Sequence, residues 1–195
     1  MNFLARLISY VANPVLLVLP VPFLLVYKST GNVWYAVKWT AFSWMFILFV
    51  ALFVMFAVFK GIFTDFDVSR REQRPLFFLV TSLTAVLYMV SLFLLHGPRI
   101  LYMALLGILI GIFAISLINL KVKASIHVAT ISAFITALSI LYGGFFLIFL
   151  TFIPVIAWAR MRIHRHTLRE AVVGGMTGIL VTIALYIVLE LALHV

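Results

Sequence analysis

Residues 34–59 read WYAVKWTAFSWMFILFVALFVMFAVF, a run in which Lys38 is the only charged side chain. An α-helix of about 20 apolar residues crosses the hydrocarbon layer of a bilayer, so this run is long enough to span it. The rest of the chain is similar, because 66% of all residues are hydrophobic and 10% are charged, against roughly 45–50% and 25% in soluble domains. The sequence therefore predicts an integral membrane protein.

The fold class predicted is all-α, a polytopic transmembrane helical bundle of about six to seven spans. The candidate spans are residues 8–27, 34–59, 76–95, 100–119, 125–142, 145–159 and 171–193. Pro14, Pro20 and Pro22 predict that the first span is kinked or broken. Gly143-Gly144 predicts a tight turn between the fifth and sixth spans.

No polar segment is long enough to form a soluble domain, so we expect one integral-membrane domain over residues 1–195, with a motif-bearing core over 60–193. The N-terminal apolar run is long and has no clear small-residue cleavage site, which favours a retained first span over a signal peptide. The chain contains no cysteine, which excludes disulfides and thiolate chemistry.

The net charge of +9 comes from basic residues in short gaps between apolar runs, a pattern typical of membrane topology and not of a nucleic-acid surface. One set of gaps and helix ends contains most of them: Arg6, Lys60, Arg70, Arg71, Arg74, Lys121, Lys123, Arg160, Arg162, Arg165 and Arg169. An excess of Lys and Arg marks the cytoplasmic side. We therefore expect a multi-pass protein of the cell membrane with its N-terminus inside, its C-terminus outside and its polar face cytoplasmic.

The order of Arg, His and Glu in residues 160–178 is not explained by the excess of basic residues on the cytoplasmic side. His166, Glu170, Gly174 and Gly178 follow one another at intervals of four, which places them on one stripe of a helix. Glu170 can then accept a hydrogen bond from one imidazole nitrogen of His166 and leave the other basic. The glycines predict close approach of another helix.

Other polar groups are expected on the same face of the membrane. Arg160, Arg74, Lys123 and Ser125 suit a tetrahedral dianion, since a guanidinium forms a planar fork that binds phosphate oxygens. His127 supplies a second imidazole, suited to protonating a leaving group.

These residues resemble the type-2 phosphatidic acid phosphatase superfamily, whose motifs are K-x6-R-P, P-S-G-H and S-R-x5-H-x3-D. Residues 159–170, ARMRIHRHTLRE, are similar to the third motif, with Glu170 for the usual Asp. Residues 124–127, ASIH, keep the Ser and His of the second. Residues 67–75, DVSRREQRP, keep the Arg-Pro of the first and have Asp67 in place of its lysine.

The resemblance implies a metal-independent hydrolase of lipid phosphates or diphosphates that needs no cofactor and whose partners are membrane lipids, not nucleic acid. By residue it implies His166 as the nucleophile that forms a phosphohistidine, Glu170 as the group that holds its tautomer and His127 as the general acid. It further implies that the phosphoryl oxygens are bound by Arg74, Lys123, Ser125 and Arg160. Lys123, Arg70 or Arg71 could replace the missing lysine.

Two alternatives stay open. TDFDVSRREQRP (64–75) also resembles the first aspartate-rich loop of magnesium-dependent intramembrane prenyltransferases, but Asp65 and Asp67 are the only aspartates in the chain, so a second such loop cannot exist. A non-catalytic, lipid-binding member of the phosphatase fold is the other alternative, favoured by the missing lysine.

Several polar residues are expected to have no catalytic part. Arg162, Arg165 and Arg169 are interpreted as anchors to anionic headgroups, and His164 as a loop residue. His96 and His194 are expected at the opposite surface. The tryptophans are interpreted as interfacial or lipid-facing: Trp34, Trp39, Trp44 and Trp158.

The predicted topology can be measured directly because the chain has no native cysteine. A single cysteine placed in the 60–75 loop should react with a membrane-impermeant maleimide only after the membrane is opened. Labelling of intact cells from outside would reverse the predicted orientation.

Overall fold

Prolines, glycines and small polar residues divide the apolar chain into helices. The structure, a computed structural model, describes residues 2–193, so His194 lies outside it. The helices are α1 (Asn2–Val11), α2 (Pro14–Val18), α3 (Val21–Thr30), α4 (Val33–Phe59), α5 (Arg74–Leu94), α6 (Arg99–Asn119), α7 (Ile126–Tyr142), α8 (Phe152–Arg162) and α9 (Leu168–Leu193). Arg71–Gln73 and Gly144–Thr151 are 3₁₀ helices. None of residues 2–193 lies in a β-strand, so the all-α prediction is confirmed.

Within residues 2–193, five helical segments are long and apolar enough to cross a membrane, which marks the chain as a membrane protein. They are Val33–Phe59, Arg71–Leu94, Arg99–Asn119, Gly144–Arg162 and Leu168–Val188. Phe3–Val18 and Val21–Thr30 are bent by 47° and make a sixth if they count as one span. The bend lies at the prolines, as predicted. The predicted span 125–142 is α7, a shorter apolar helix of 17 residues.

Local chemistry sets the helix ends. Gly31 ends α3 with a φ of 65°, a left-handed conformation that favours glycine. The side chain of Asn32 then caps α4 by accepting a hydrogen bond from the backbone N–H of Tyr35 at 2.9 Å. Gly143 has a φ of 112° and separates α7 from the 3₁₀ helix, which confirms the predicted turn.

The chain divides into two compact units, residues 18–112 and residues 1–17 with 113–195. The prediction of a single domain over 1–195 stays a prediction. In the first unit α3 and α5 both pack on α4, around a core that includes Val26, Trp39, Tyr88 and Leu92. Trp39 is only 3% exposed, so its interpretation as a lipid-facing side chain is wrong.

The second unit contains most of the residues singled out for chemistry. Its helix α1 packs on α8, and α7 packs along α9, while α8 also contacts both α7 and α9. Ala12, Val128, Ile156 and Ala171 belong to its apolar core.

The predicted glycine stripe is the contact between α9 and α7. A Cβ built on Gly174 would come within 2.5 Å of the carbonyl oxygen of Ser125, and one on Gly178 would collide with the carbonyl oxygen of Ala129. Gly175 is less tight, since its Cβ would meet Val128 at 3.4 Å. Small residues let the two backbones approach closely, as expected for membrane helices.

Replacement of Gly178 by alanine should destabilise the protein, because its methyl group meets backbone that cannot rotate away. Overpacking of this kind costs about 1–3 kcal/mol, and we expect a lower midpoint of thermal unfolding in detergent.

Gly111→Ala is the matched control. Nothing lies within 4 Å of a Cβ at Gly111 in α6, so that variant should unfold at the wild-type temperature or slightly higher. Equal midpoints for the two variants would contradict the close-contact interpretation.

Candidate active site

The turn between α8 and α9 determines the spacing of the Arg–His–Glu motif. Helix α8 ends in a Schellman motif, in which the backbone N–H of Arg165 donates to the carbonyl of Arg160 at 3.0 Å and that of His164 donates to Met161 at 2.9 Å. His164 takes the left-handed position of this motif, with a φ of 57°. The N–H of His166 also reaches the Arg160 carbonyl, at 3.4 Å. The five residues between Arg160 and His166 therefore form one helix end and one turn.

Glu170 lies in the first turn of α9 and holds His166. Its Oε2 is 3.0 Å from Nδ1 of His166, and the imidazole side chain is only 2% exposed. Because a carboxylate accepts hydrogen bonds, this contact places the proton on Nδ1 and leaves Nε2 as the basic nitrogen.

The same carboxylate also begins the helix. Oε2 of Glu170 accepts the backbone N–H of Thr167 at 3.1 Å, and the Thr167 hydroxyl accepts the N–H of Glu170 at 3.3 Å. This reciprocal pair is a capping box. Glu170 therefore has a structural role in addition to the contact with His166.

The start of α7 is tied to the start of α9 by a backbone hydrogen bond. The N–H of Ser125 donates to the carbonyl of Glu170 at 3.0 Å. Ser125 is fully buried and caps α7, since its Oγ accepts from the N–H of Val128 at 3.5 Å. His127 lies in the first turn of α7 and is 5% exposed, and Lys123 lies in the loop before it, partly exposed. The second and third motif segments therefore meet at neighbouring helix ends.

Arg160, in the last turn of α8, is 1% exposed. Its Nη1 donates a hydrogen bond to Oγ of Ser9 in α1 at 2.7 Å. A buried guanidinium is tolerated only where its N–H groups find acceptors. Ser9 is 6% exposed and was not anticipated from the sequence.

Arg74 belongs to the other unit, at the first position of α5. It is also 1% exposed, and its Nε donates to the carbonyl of Val68 at 3.3 Å. Val68 has a φ of 47°, a strained conformation for a β-branched residue. Arg74 thus supports the loop before α5, and its role as a phosphate ligand stays a prediction.

Asp65 organises the same loop. Its Oδ1 accepts hydrogen bonds from the N–H of Asp67 at 3.0 Å and from the hydroxyl of Ser69 at 2.9 Å. This arrangement is an Asx turn, in which the carboxylate replaces a backbone acceptor. Among residues 2–193 there is no group of three or more His, Asp or Glu side chains that could hold a metal ion.

Two of the histidines interpreted as non-catalytic, His96 and His164, have a common structural role. His96 has a φ of 52° and follows α5 as His164 follows α8. The N–H of Gly97 donates to the carbonyl of Leu92 at 2.8 Å, the bond that completes a Schellman motif. Both histidines are exposed, as are Arg162 and Arg169. His164 is therefore a turn residue, as predicted.

Two features were missed by the sequence analysis. The capping box could have been found from T-x-x-E at Thr167 and Glu170. Ser9 carries no such signal, because its partner Arg160 is 151 residues away in the chain.

Comparisons with protein-family models, with curated proteins and with solved structures give no match to this chain.

His164→Gly should leave the protein as stable as the wild type or stabilise it by up to about 1 kcal/mol. Glycine adopts the left-handed conformation without a Cβ penalty, but it loses more conformational entropy on folding, so the two effects partly cancel. The measurement is the midpoint of thermal unfolding in detergent. Arg162→Gly, in the ordinary last turn of α8, is the control and should lower it. A clear loss of stability in His164→Gly would show that the imidazole itself matters.

Proposed function

We propose that the protein is an integral-membrane lipid phosphatase that hydrolyses a lipid phosphate or diphosphate through a phosphohistidine intermediate. The observation that carries this proposal is the 3.0 Å contact between Nδ1 of His166 and Oε2 of Glu170. The backbone carbonyl of the same Glu170 accepts a hydrogen bond from the N–H of Ser125. One residue thereby connects the proposed nucleophile to the segment that contains the proposed general acid.

In the proposed first step, Nε2 of His166 attacks phosphorus. The Nε2–P bond forms as the bond from phosphorus to the lipid oxygen breaks, and Glu170 stabilises the charge on the imidazole. His127 donates a proton to the departing oxygen. Water then attacks phosphorus and gives one proton to His127, the Nε2–P bond breaks, inorganic phosphate leaves and both histidines return to their starting states.

The phosphoryl oxygens would be bound by Arg160, Ser125 and Lys123. Electrostatic stabilisation by such groups is the main contribution a protein makes to phosphoryl transfer. Ser125 suits this role because its Oγ serves α7 as an acceptor, so its hydroxyl hydrogen can bind the phosphoryl group.

A polyprenyl phosphate or diphosphate is the preferred substrate class, followed by phosphatidic acid or phosphatidylglycerol phosphate. The lipid tail would stay in hydrocarbon while the basic residues attract the acidic headgroup. We propose that this site faces the cytoplasm, as the distribution of Lys and Arg favours.

The test is release of inorganic phosphate from a panel of lipid phosphates in EDTA, by purified protein in mixed micelles. Wild type should be active and His166→Ala inactive, since the substitution removes the proposed nucleophile. His164→Ala, two residues away on the turn, is the matched control and should keep wild-type activity.

Glu170→Gln separates the two roles of that residue in the same assay. Glutamine can complete a capping box, so the fold should be kept, while loss of the negative charge should lower kcat by about 10²-fold or more. Strict magnesium dependence of the wild type would favour the prenyltransferase class. No release from any lipid would favour the non-catalytic class.

A further inference from the structure

We propose that Ser9 is a further phosphate-binding residue, which orients Arg160 and donates its own hydroxyl hydrogen to the same phosphoryl group. This inference rests on the proposed function and adds a contact that none of the three motifs contains. The N-terminal helix would then supply a fourth segment of the site.

The first argument is the geometry of Arg160. A free arginine side chain has many rotamers, but this guanidinium is 1% exposed and its Nη1 is held 2.7 Å from Oγ of Ser9. Burial and the hydrogen bond to Ser9 together restrict the orientation of the guanidinium, whose planar fork suits phosphate oxygens.

The second argument is the donor that Ser9 retains. Many helical hydroxyls of the chain donate to the carbonyl four residues earlier, as those of Thr40, Ser43 and Thr136 do. The Ser9 hydroxyl accepts from Arg160, and no acceptor within residues 2–193 receives its hydrogen. A buried donor without an acceptor is unfavourable. A phosphoryl oxygen bound by Arg160 would satisfy it.

The third argument is the packing of α1 against α8. Ala5 of α1 is 0% exposed and lies one turn before the buried Ser9, and Ala12, directly after the helix, is 5% exposed. Phe3 and Tyr10 are 79% and 68% exposed on the outside, an apolar surface suited to lipid. Small residues let α1 lie close to α8, which brings a short serine side chain within reach of Arg160.

The experiment uses full-length protein in detergent and compares wild type with Ser9→Ala, Ser9→Thr and Ser9→Cys. Three quantities are measured: the Kd for inorganic phosphate by calorimetry, and KM and kcat for the best lipid phosphate in EDTA. Ser91→Ala is the matched control, because the exposed Ser91 hydroxyl donates to its own helix at Leu87.

Ser9→Ala should weaken phosphate binding and raise KM, each about tenfold or more, the loss expected for a hydrogen bond to a charged group. Ser9→Thr keeps the hydroxyl and should stay within about threefold of wild type. Ser9→Cys, a weak donor of similar size, should behave like alanine and gives the answer if Ser9→Ala does not fold. Ser91→Ala should match wild type.

The outcomes separate this inference from the proposed function. Wild-type Kd and KM in folded Ser9→Ala and Ser9→Cys overturn the role of Ser9 while lipid hydrolysis stands. A fall in phosphate affinity with unchanged lipid KM in the Ser9 variants also overturns it, since Ser9 would then contact free phosphate and not the phosphoryl group of the lipid. If phosphate binding depends on Ser9 but no lipid releases inorganic phosphate, the role of Ser9 is supported and the proposed phosphatase activity is overturned. Wild type that binds no phosphate overturns the inference.

Discussion

The close approach of α9 to α7 is the constraint on which the rest of the second unit depends. At Gly174 and Gly178 the backbone of α9 meets that of Ser125 and Ala129 with no room for a side chain between them. At this separation the backbone N–H of Ser125 donates to the carbonyl of Glu170 at 3.0 Å. In a bilayer, where lipid tails are as apolar as leucine, such close packing is a main source of helix association.

Much of the helical architecture could be predicted from the sequence, since it follows from local chemistry. Apolar run length predicts the spanning helices, proline predicts the 47° bend, and Gly143 predicts its turn. The sequence does not predict which apolar side chains are buried in the protein and which face lipid, because lipid and protein interior are both apolar. The sequence favours an interfacial or lipid-facing position for Trp39, whereas this side chain packs in a core with Tyr88 and Leu92.

The candidate site could be predicted as far as helical periodicity reaches. The interval of four residues brings His166 to Glu170, and the structure has this contact. Which imidazole nitrogen faces the carboxylate depends on a side-chain rotamer, and composition does not specify it. The contact from Ser9 to Arg160 depends on how α1 packs against α8, a tertiary arrangement that no spacing encodes.

The Schellman turn at His164 has a consequence for variation in this segment. Five residues separate Arg160 from His166 because a helix end and a capping box follow each other without a spare position. Residue types inside the turn can change, as the presence of His164 where glycine is usual indicates. The number of residues cannot change, since an insertion or deletion would break the hydrogen bonds from the backbone N–H groups of Arg165 and His166 to the Arg160 carbonyl. A search for distant relatives should therefore weight gap-free length between the arginine and the histidine above identity within the turn.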